Sequence, residues 1–366
     1  MPKCIYSLKN HDDSKFSSQE HVLPACIGGM HKLPKGYVSD EVNEMFSQLE
    51  LYFARESPIS IPRILLGPGK RGSLNPKKET ASKISVISDT INKGKALGFI
   101  KKGKPFIIDQ VHFFNDHNPP KIRISLDPSS EKTNSELLLN FWETMKAYTD
   151  CPNIIKDDAL LENERILGFY EKRWHLAINK NCNIEEAMHS FTIVVKNISN
   201  IINESMRIAD NGYMTESQVT SHLEMVYKND LFRVIAKTVF NCLAYIMGSS
   251  FVLNKAFDSI RSAIYTGKNI EKYINVINKH YILSETLKAP HASEFGSHLH
   301  MITIFRVETT LMAEVCFYGC GCAYLVKIAD EFYDNFDLYD GIICDWQNKR
   351  ELRFAEFIQK ICGVNV

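Results

Sequence analysis

Apolar residues recur at Val42, Met45, Phe46, Leu49 and Phe53, the spacing of one helix face, and predict a helix over residues 39–55. Ser39 stands at its N-cap position, and Asp40 and Glu41 in the first turn suit the positive end of the helix dipole. Ser57-Pro58 marks its end, because the residue before a proline is pushed out of the helical region. Helical spacing returns over residues 135–148, 183–208, 216–227 and 231–247, with shorter stretches at 257–265 and 270–276. Residues 231–247 are almost wholly apolar, yet Arg233, Lys237 and Asn241 fall four apart and draw a polar stripe along that helix. The most apolar run, Thr238 to Asn254, is short of a membrane span and is interrupted by Asn241, Gly248, Ser249 and Ser250.

Short β-prone runs fill the remainder. They lie at residues 3–7 and 18–23, then at 83–88, 96–101, 105–114 and 121–126, and finally at 298–305, 311–317 and 323–328. Asn92-Lys93-Gly94 and Lys102-Gly103-Lys104 read as hairpin turns. Residues 330–340 place acids among aromatics and read as a solvated loop that tucks its rings inward. The expected class is α+β in four regions: a small N-terminal module over 1–60, a basic loop with antiparallel strands over 61–130, a helical region over 131–290, and a C-terminal antiparallel meander with an acidic segment over 291–366.

Composition adds limits. Hydrophobic residues make up 45% and charged residues 23%, the profile of an ordinary globular chain. Ten cysteines spread through 366 residues form no disulfide framework, so a reducing, cytoplasmic setting is expected. Met1 to His11 lack the shape of a signal peptide. Formal net charge is zero, but the charge is unevenly placed: residues 61–104 hold eleven Lys/Arg against two acids. Residues 1–60 hold six against eight. Lys70, Arg71, Lys77 and Lys78 in that basic stretch are candidate phosphate contacts. Gly67-Pro68-Gly69-Lys70-Arg71-Gly72 lacks the Gly-Lys-Ser/Thr ending of a P-loop.

The candidate chemistry precedes this stretch. Glu20 and His21 are followed by Pro24, by Gly28-Gly29 and by Asn43. A histidine that titrates near neutral pH suits a general base. A carboxylate and an amide oxygen are hard ligands that suit Mg²⁺ or Mn²⁺. Pro24 stiffens the exit from the strand, and the glycine pair permits a sharp turn.

This constellation resembles the core of the HNH endonuclease family, whose pattern runs acid/His-His-x-x-Pro, Gly-Gly, then Cys-x-x-Cys-His/Asn. The resemblance implies a ββα-metal module that hydrolyses DNA, or RNA, with His21 as general base and one divalent cation held by Glu20 and Asn43. It also marks departures. Where many members carry two Cys-x-x-Cys pairs around a structural zinc, this chain has Cys4…Ser7 and Ser39…Val42, so no structural zinc is expected. Three readings fit the residues: a metal-dependent endonuclease, a catalytically inactive derivative that binds nucleic acid or a partner, or an unrelated α+β interaction protein that carries the motif by chance. Nothing in the sequence decides the oligomeric state.

Overall fold

A computed structural model describes residues 2–89, 94–114, 121–126, 134–147, 151–205, 219–221, 227–277, 281–286, 288–319, 322–330, 332 and 339–363. The chain is α+β, and its sheets are antiparallel apart from one parallel pair. It divides into two compact units: residues 1–80 with 225–366, and residues 81–224.

The first unit is built on a six-stranded antiparallel sheet. Its order is Ile274–Ile277, Cys322–Ala329, Thr310–Phe317, His300–Val307, Tyr339–Asp345 and Arg350–Arg353. Alternation along the strands assigns their faces. Ile302, Ile304, Ala313, Val315 and Phe317 point to a core shared with the buried helix Asn229–Met247 and with the N-terminal segment. Met301, Cys316 and Ile343 point the other way, onto the amphipathic helix Phe354–Cys362. The three C-terminal strands expected from the sequence are present, joined by Ile274–Ile277 on one side and by Tyr339–Asp345 and Arg350–Arg353 on the other. The segment read as a helix over 270–276 is a short 3-10 turn that runs into the strand Ile274–Ile277. Much of the acidic stretch lies outside the described residues, but its end at Tyr339–Asp345 is a strand rather than a loop.

Helix Asp40–Arg55 forms where the periodicity placed it and buries Val42, Phe46 and Phe53 against the same core. Ser39 occupies the N-cap position with extended backbone, but its hydroxyl makes no capping bond and is buried without a partner among the described residues. The strands expected over 3–7 and 18–23 do not form: residues 5–7 are a turn, and Lys3 and His21 make only isolated bridges. Before this helix, two extended segments lie side by side as a narrow ribbon. Val22 N–H donates to His31 O at 2.9 Å, Leu33 N–H donates to Glu20 O at 2.8 Å, and His21 bridges Lys32.

The second unit holds two sheets. One runs Lys104–Ile107, Lys95–Lys101, Ser85–Asp89, Val219–Ser221; the other runs Lys121–Ser125, Asp109–Phe114, Glu164–Tyr170, Arg173–Ile178, Asn153–Lys156. Leu97, Ile108 and Ile166 pack between the sheets. Helices Asn134–Ala147 and Ile184–Ser205 cover the five-stranded sheet over Phe141, Trp174 and Phe191. The run read as one strand over 105–114 is therefore two, one in each sheet.

Residues 131–290, expected to be helical, also contain strands. Residues 153–156, 164–170 and 173–178 are strands, and Val219–Ser221 is a strand where a helix was expected. The hairpin at Glu171-Lys172 was hidden by its turn. Both residues take positive φ, 46° and 63°, without the Asn or Gly that usually signals such a turn. The rest of the helix expected over 216–227, up to residue 226, and the Asn92-Lys93 turn lie outside the described residues. Among the described residues no helix is long and apolar enough to cross a membrane.

Candidate functional site

The ribbon, its turn and helix Asp40–Arg55 place the sequence-selected residues. Gly28 ends a short 3-10 turn with φ +100°, a conformation that disfavours any Cβ. A Cβ on Gly29 would collide with the Leu23 carbonyl, so the glycine pair permits the chain to double back on itself. Asp40, in the first helical turn, accepts from the N–H and hydroxyl groups of both Ser17 and Ser18, which fixes the start of the ribbon against the helix. Those bonds hold its carboxyl well below the usual carboxylate range. Asn43 lies one turn on and donates from Nδ2 to Ser18 Oγ at 2.9 Å.

Glu20 and His21 point differently, as neighbours in extended backbone do. Glu20 is 5% exposed and faces the buried helix Asn229–Met247. There Lys237 Nζ, with no exposed surface, donates to Glu20 Oε1 at 2.5 Å and to Glu50 Oε1. Burial works against the ammonium, but the two carboxylates outweigh it and hold Lys237 protonated. One turn along the same helix, Asn241 Oδ1 accepts from Tyr6 Oη at 2.6 Å, and its Nδ2 donates to His21 O at 2.9 Å. The polar stripe is thus the seam that joins the helix to the ribbon. Arg233, at the stripe's start, donates instead to the carbonyls of Ile264 and Tyr265.

His21 itself is half-buried, and its ring makes no hydrogen bond among the described residues. Burial and the positive charges of Lys32 and Lys237 lower its pKa, so the imidazole is neutral at pH 7. His31, ten residues on, stacks on Tyr245 with ring centroids 5.2 Å apart.

The ribbon's turn is held from three further directions. Glu351 Oε2 accepts from Met30 N–H and His31 N–H, each at 2.7 Å. His300 Nε2 donates to Ile27 O at 2.9 Å while its Nδ1 accepts from Tyr318 N–H, an assignment that requires the neutral ring. Arg63, 4% exposed, donates to the carbonyls of Cys26, Ala54 and Gly69. The bonds to Cys26 and Gly69 together tie the basic loop to the ribbon's turn. A Cβ on Gly72 would lie 2.7 Å from Ala25 O, which shows how closely the two segments meet.

Within the basic stretch, roles diverge. Arg63 is structural, and Lys95 pairs with Glu164 at 3.0 Å. Lys70, Arg71, Lys77 and Lys78 lie on the two short 3-10 turns Lys70–Gly72 and Pro76–Lys78, with Lys70, Arg71, Lys77 and Lys78 all open to solvent.

The positions of the family's zinc ligands converge only in part. Cys4 is buried and its Sγ accepts from Ser39 N–H at 3.5 Å, while Val42 packs into the hydrophobic core. Among the described residues no three His, Cys, Asp or Glu side chains converge as a metal-binding group. A divalent cation does not fit at Glu20 as it stands, because its carboxylate is buried against an ammonium. Asn43 donates to Ser18 from its amide nitrogen, and its Oδ1, the atom a cation would take, has no part in that bond. The residues that sequence reasoning did not connect are Tyr6, Glu50, Lys237 and Asn241. The stripe on residues 233–241 was the available signal, but the sequence does not name its partner.

No protein-family model, curated protein or solved structure matches this chain.

Proposed function

We propose that this chain binds nucleic acid on an HNH-derived ββα frame that no longer cuts it. The observation that carries the reading is the Lys237 ammonium held against Glu20. In the family pattern that carboxylate serves a divalent cation; here a lysine fixed in a buried helix neutralises it. The frame is supported by the order ribbon, glycine turn, helix, and by the adjacency of Cys4 and Ser39. Binding is supported by four exposed cations on loops next to the ribbon's turn. Such groups contact phosphates and release counterions, which gives salt-sensitive binding with little sequence preference.

The test combines two assays on the purified protein. Duplex DNA should bind at low salt in the presence of a chelator, and supercoiled plasmid should remain intact with Mg²⁺ or Mn²⁺. Absence of binding at low salt sinks the proposal, as does metal-dependent nicking that disappears in His21→Ala.

One observation favours a second reading, metal-dependent endonuclease activity. His21 is a neutral, partly exposed imidazole with no hydrogen-bond partner among the described residues, the state required of a general base. That reading requires Glu20 to part from Lys237, and the nicking assay decides between the two.

A further inference from the structure

The second unit carries an exposed aromatic ring set among lysines on a sheet edge. Strand Lys104–Ile107 ends the four-stranded sheet, and all four of its residues are exposed. Its register with Lys95–Lys101 pairs Phe99 with Phe106 and Lys101 with Lys104. Directly paired residues share a face, as do residues two apart, so these four side chains stand together on one side of the hairpin.

The rings are layered. Phe106 lies almost parallel to Phe99, 11° between planes and 5.3 Å between centroids. Phe99 is buried and leans on Tyr170 from the other sheet, 4.9 Å away. Phe106 is 38% exposed. One ring face is therefore held from below and the other meets solvent. The turn beside it, Lys101-Lys102-Gly103-Lys104, brings three ammonium groups to the same end of the hairpin.

We infer that this hairpin is a binding site for single-stranded nucleic acid, with a base stacked on the outer face of Phe106 and a neighbouring phosphate met by Lys104. A ring fixed by stacking loses little freedom when a base adds to it. Every base presents a π-face, so the site would accept sequence broadly, and the Lys104 ammonium supplies the salt-dependent part of the affinity. Lysines on an edge strand also deter pairing with another sheet, but that role does not call for an exposed ring held flat. A duplex keeps its bases stacked on one another and offers none to Phe106, so the ligand is single-stranded. The site uses none of the cations at residues 70–78 and stands without the reading proposed for them.

The test uses the full chain and a labelled oligothymidylate, followed by fluorescence anisotropy. Phe106→Ala should weaken binding on the order of tenfold, as expected for the loss of one base–aromatic stack. Phe106→Trp should retain affinity, with its fluorescence quenched on binding. Lys104→Ala should make log affinity less steep in log salt, by about one unit. The variant with Lys70, Arg71, Lys77 and Lys78 replaced by alanine should keep the Phe106-dependent difference even where its duplex binding falls. Phe106→Ala protein that is folded by circular dichroism and binds the oligonucleotide like wild type overturns the inference. So does a wild-type dimer that Phe106→Ala converts to monomer without change in oligonucleotide affinity, because the edge is then a protein interface.

Discussion

Lys237 Nζ lies 2.5 Å from Glu20 Oε1, a contact between residues 217 apart in the chain and both shut away from solvent. Removing one partner of such a pair strands the other in a medium that cannot solvate it. Lys237→Met leaves Glu20 and Glu50 facing each other without a counter-charge, and should lower unfolding stability by about 3–5 kcal/mol. Adding Glu20→Gln and Glu50→Gln should recover much of that loss. Urea unfolding of the single, double and triple variants checks it, and additive effects would mean that the three groups do not act together.

The exposed cations of the basic loop should control affinity for duplex DNA. Replacement of Lys70, Arg71, Lys77 and Lys78 by alanine should reduce binding across unrelated sequences. It should also lower the slope of log affinity against log salt by up to about four, one for each phosphate no longer neutralised. Stability should hardly change, since all four are exposed and the loop is anchored by Arg63. An unchanged slope assigns them to an ordinary solvated surface.

His21→Ala separates the two functional readings. The bond from Asn241 reaches the His21 carbonyl, which alanine retains, so fold and DNA affinity should persist. Under the binding reading no cleavage exists to lose. Under the cleavage reading, nicking should fall by about 10²–10⁴-fold, the usual contribution of a general base.

Asp40 gives the N-terminal module a dependence on pH. Four donor groups on Ser17 and Ser18 hold its folded pKa below the ordinary value of about 4. Its contribution is present above about pH 4 and is lost as pH falls through the depressed folded value. Asp40→Asn should therefore melt below wild type at pH 7, with the gap closing as pH drops below about 4. A gap that stays constant with pH would show that ionisation plays no part.

His300 acts in a higher window. Burial pushes its pKa down to about 3, against about 6.5 in an unfolded chain. Below pH 6.5 the unfolded state takes up a proton that the folded ring refuses, so stability falls progressively between about 6.5 and 3. His300→Gln removes this titration, and its denaturation midpoint should fall less steeply than wild type from pH 7 to pH 4. Parallel curves would place the acid sensitivity elsewhere.

Much of the local structure was legible because its causes are local. Helix Asp40–Arg55 follows from apolar residues on one face, and Gly28 stands where a positive φ is needed. The hairpin at Glu171-Lys172 was not legible, because tertiary packing holds a turn that its residues do not favour. The strand at Tyr339–Asp345 was likewise masked by the acids around it, and the sheet face that buries Ile342 and Cys344 decided the matter.

Residue types and their spacing were enough to mark which groups could do chemistry: Glu20, His21 and Asn43 at the N-terminus, the cations that follow, and a polar stripe on an apolar helix. What Glu20 meets was settled by the folded arrangement alone. A carboxylate's role depends on whether its neighbour is water, a metal ion or an ammonium. Here the neighbour comes from a helix beyond the whole second unit in the chain, set by the packing of apolar surfaces rather than by any spacing between the two residues. Burial then made the choice costly to reverse, because neither charge can leave the pair without losing its compensation.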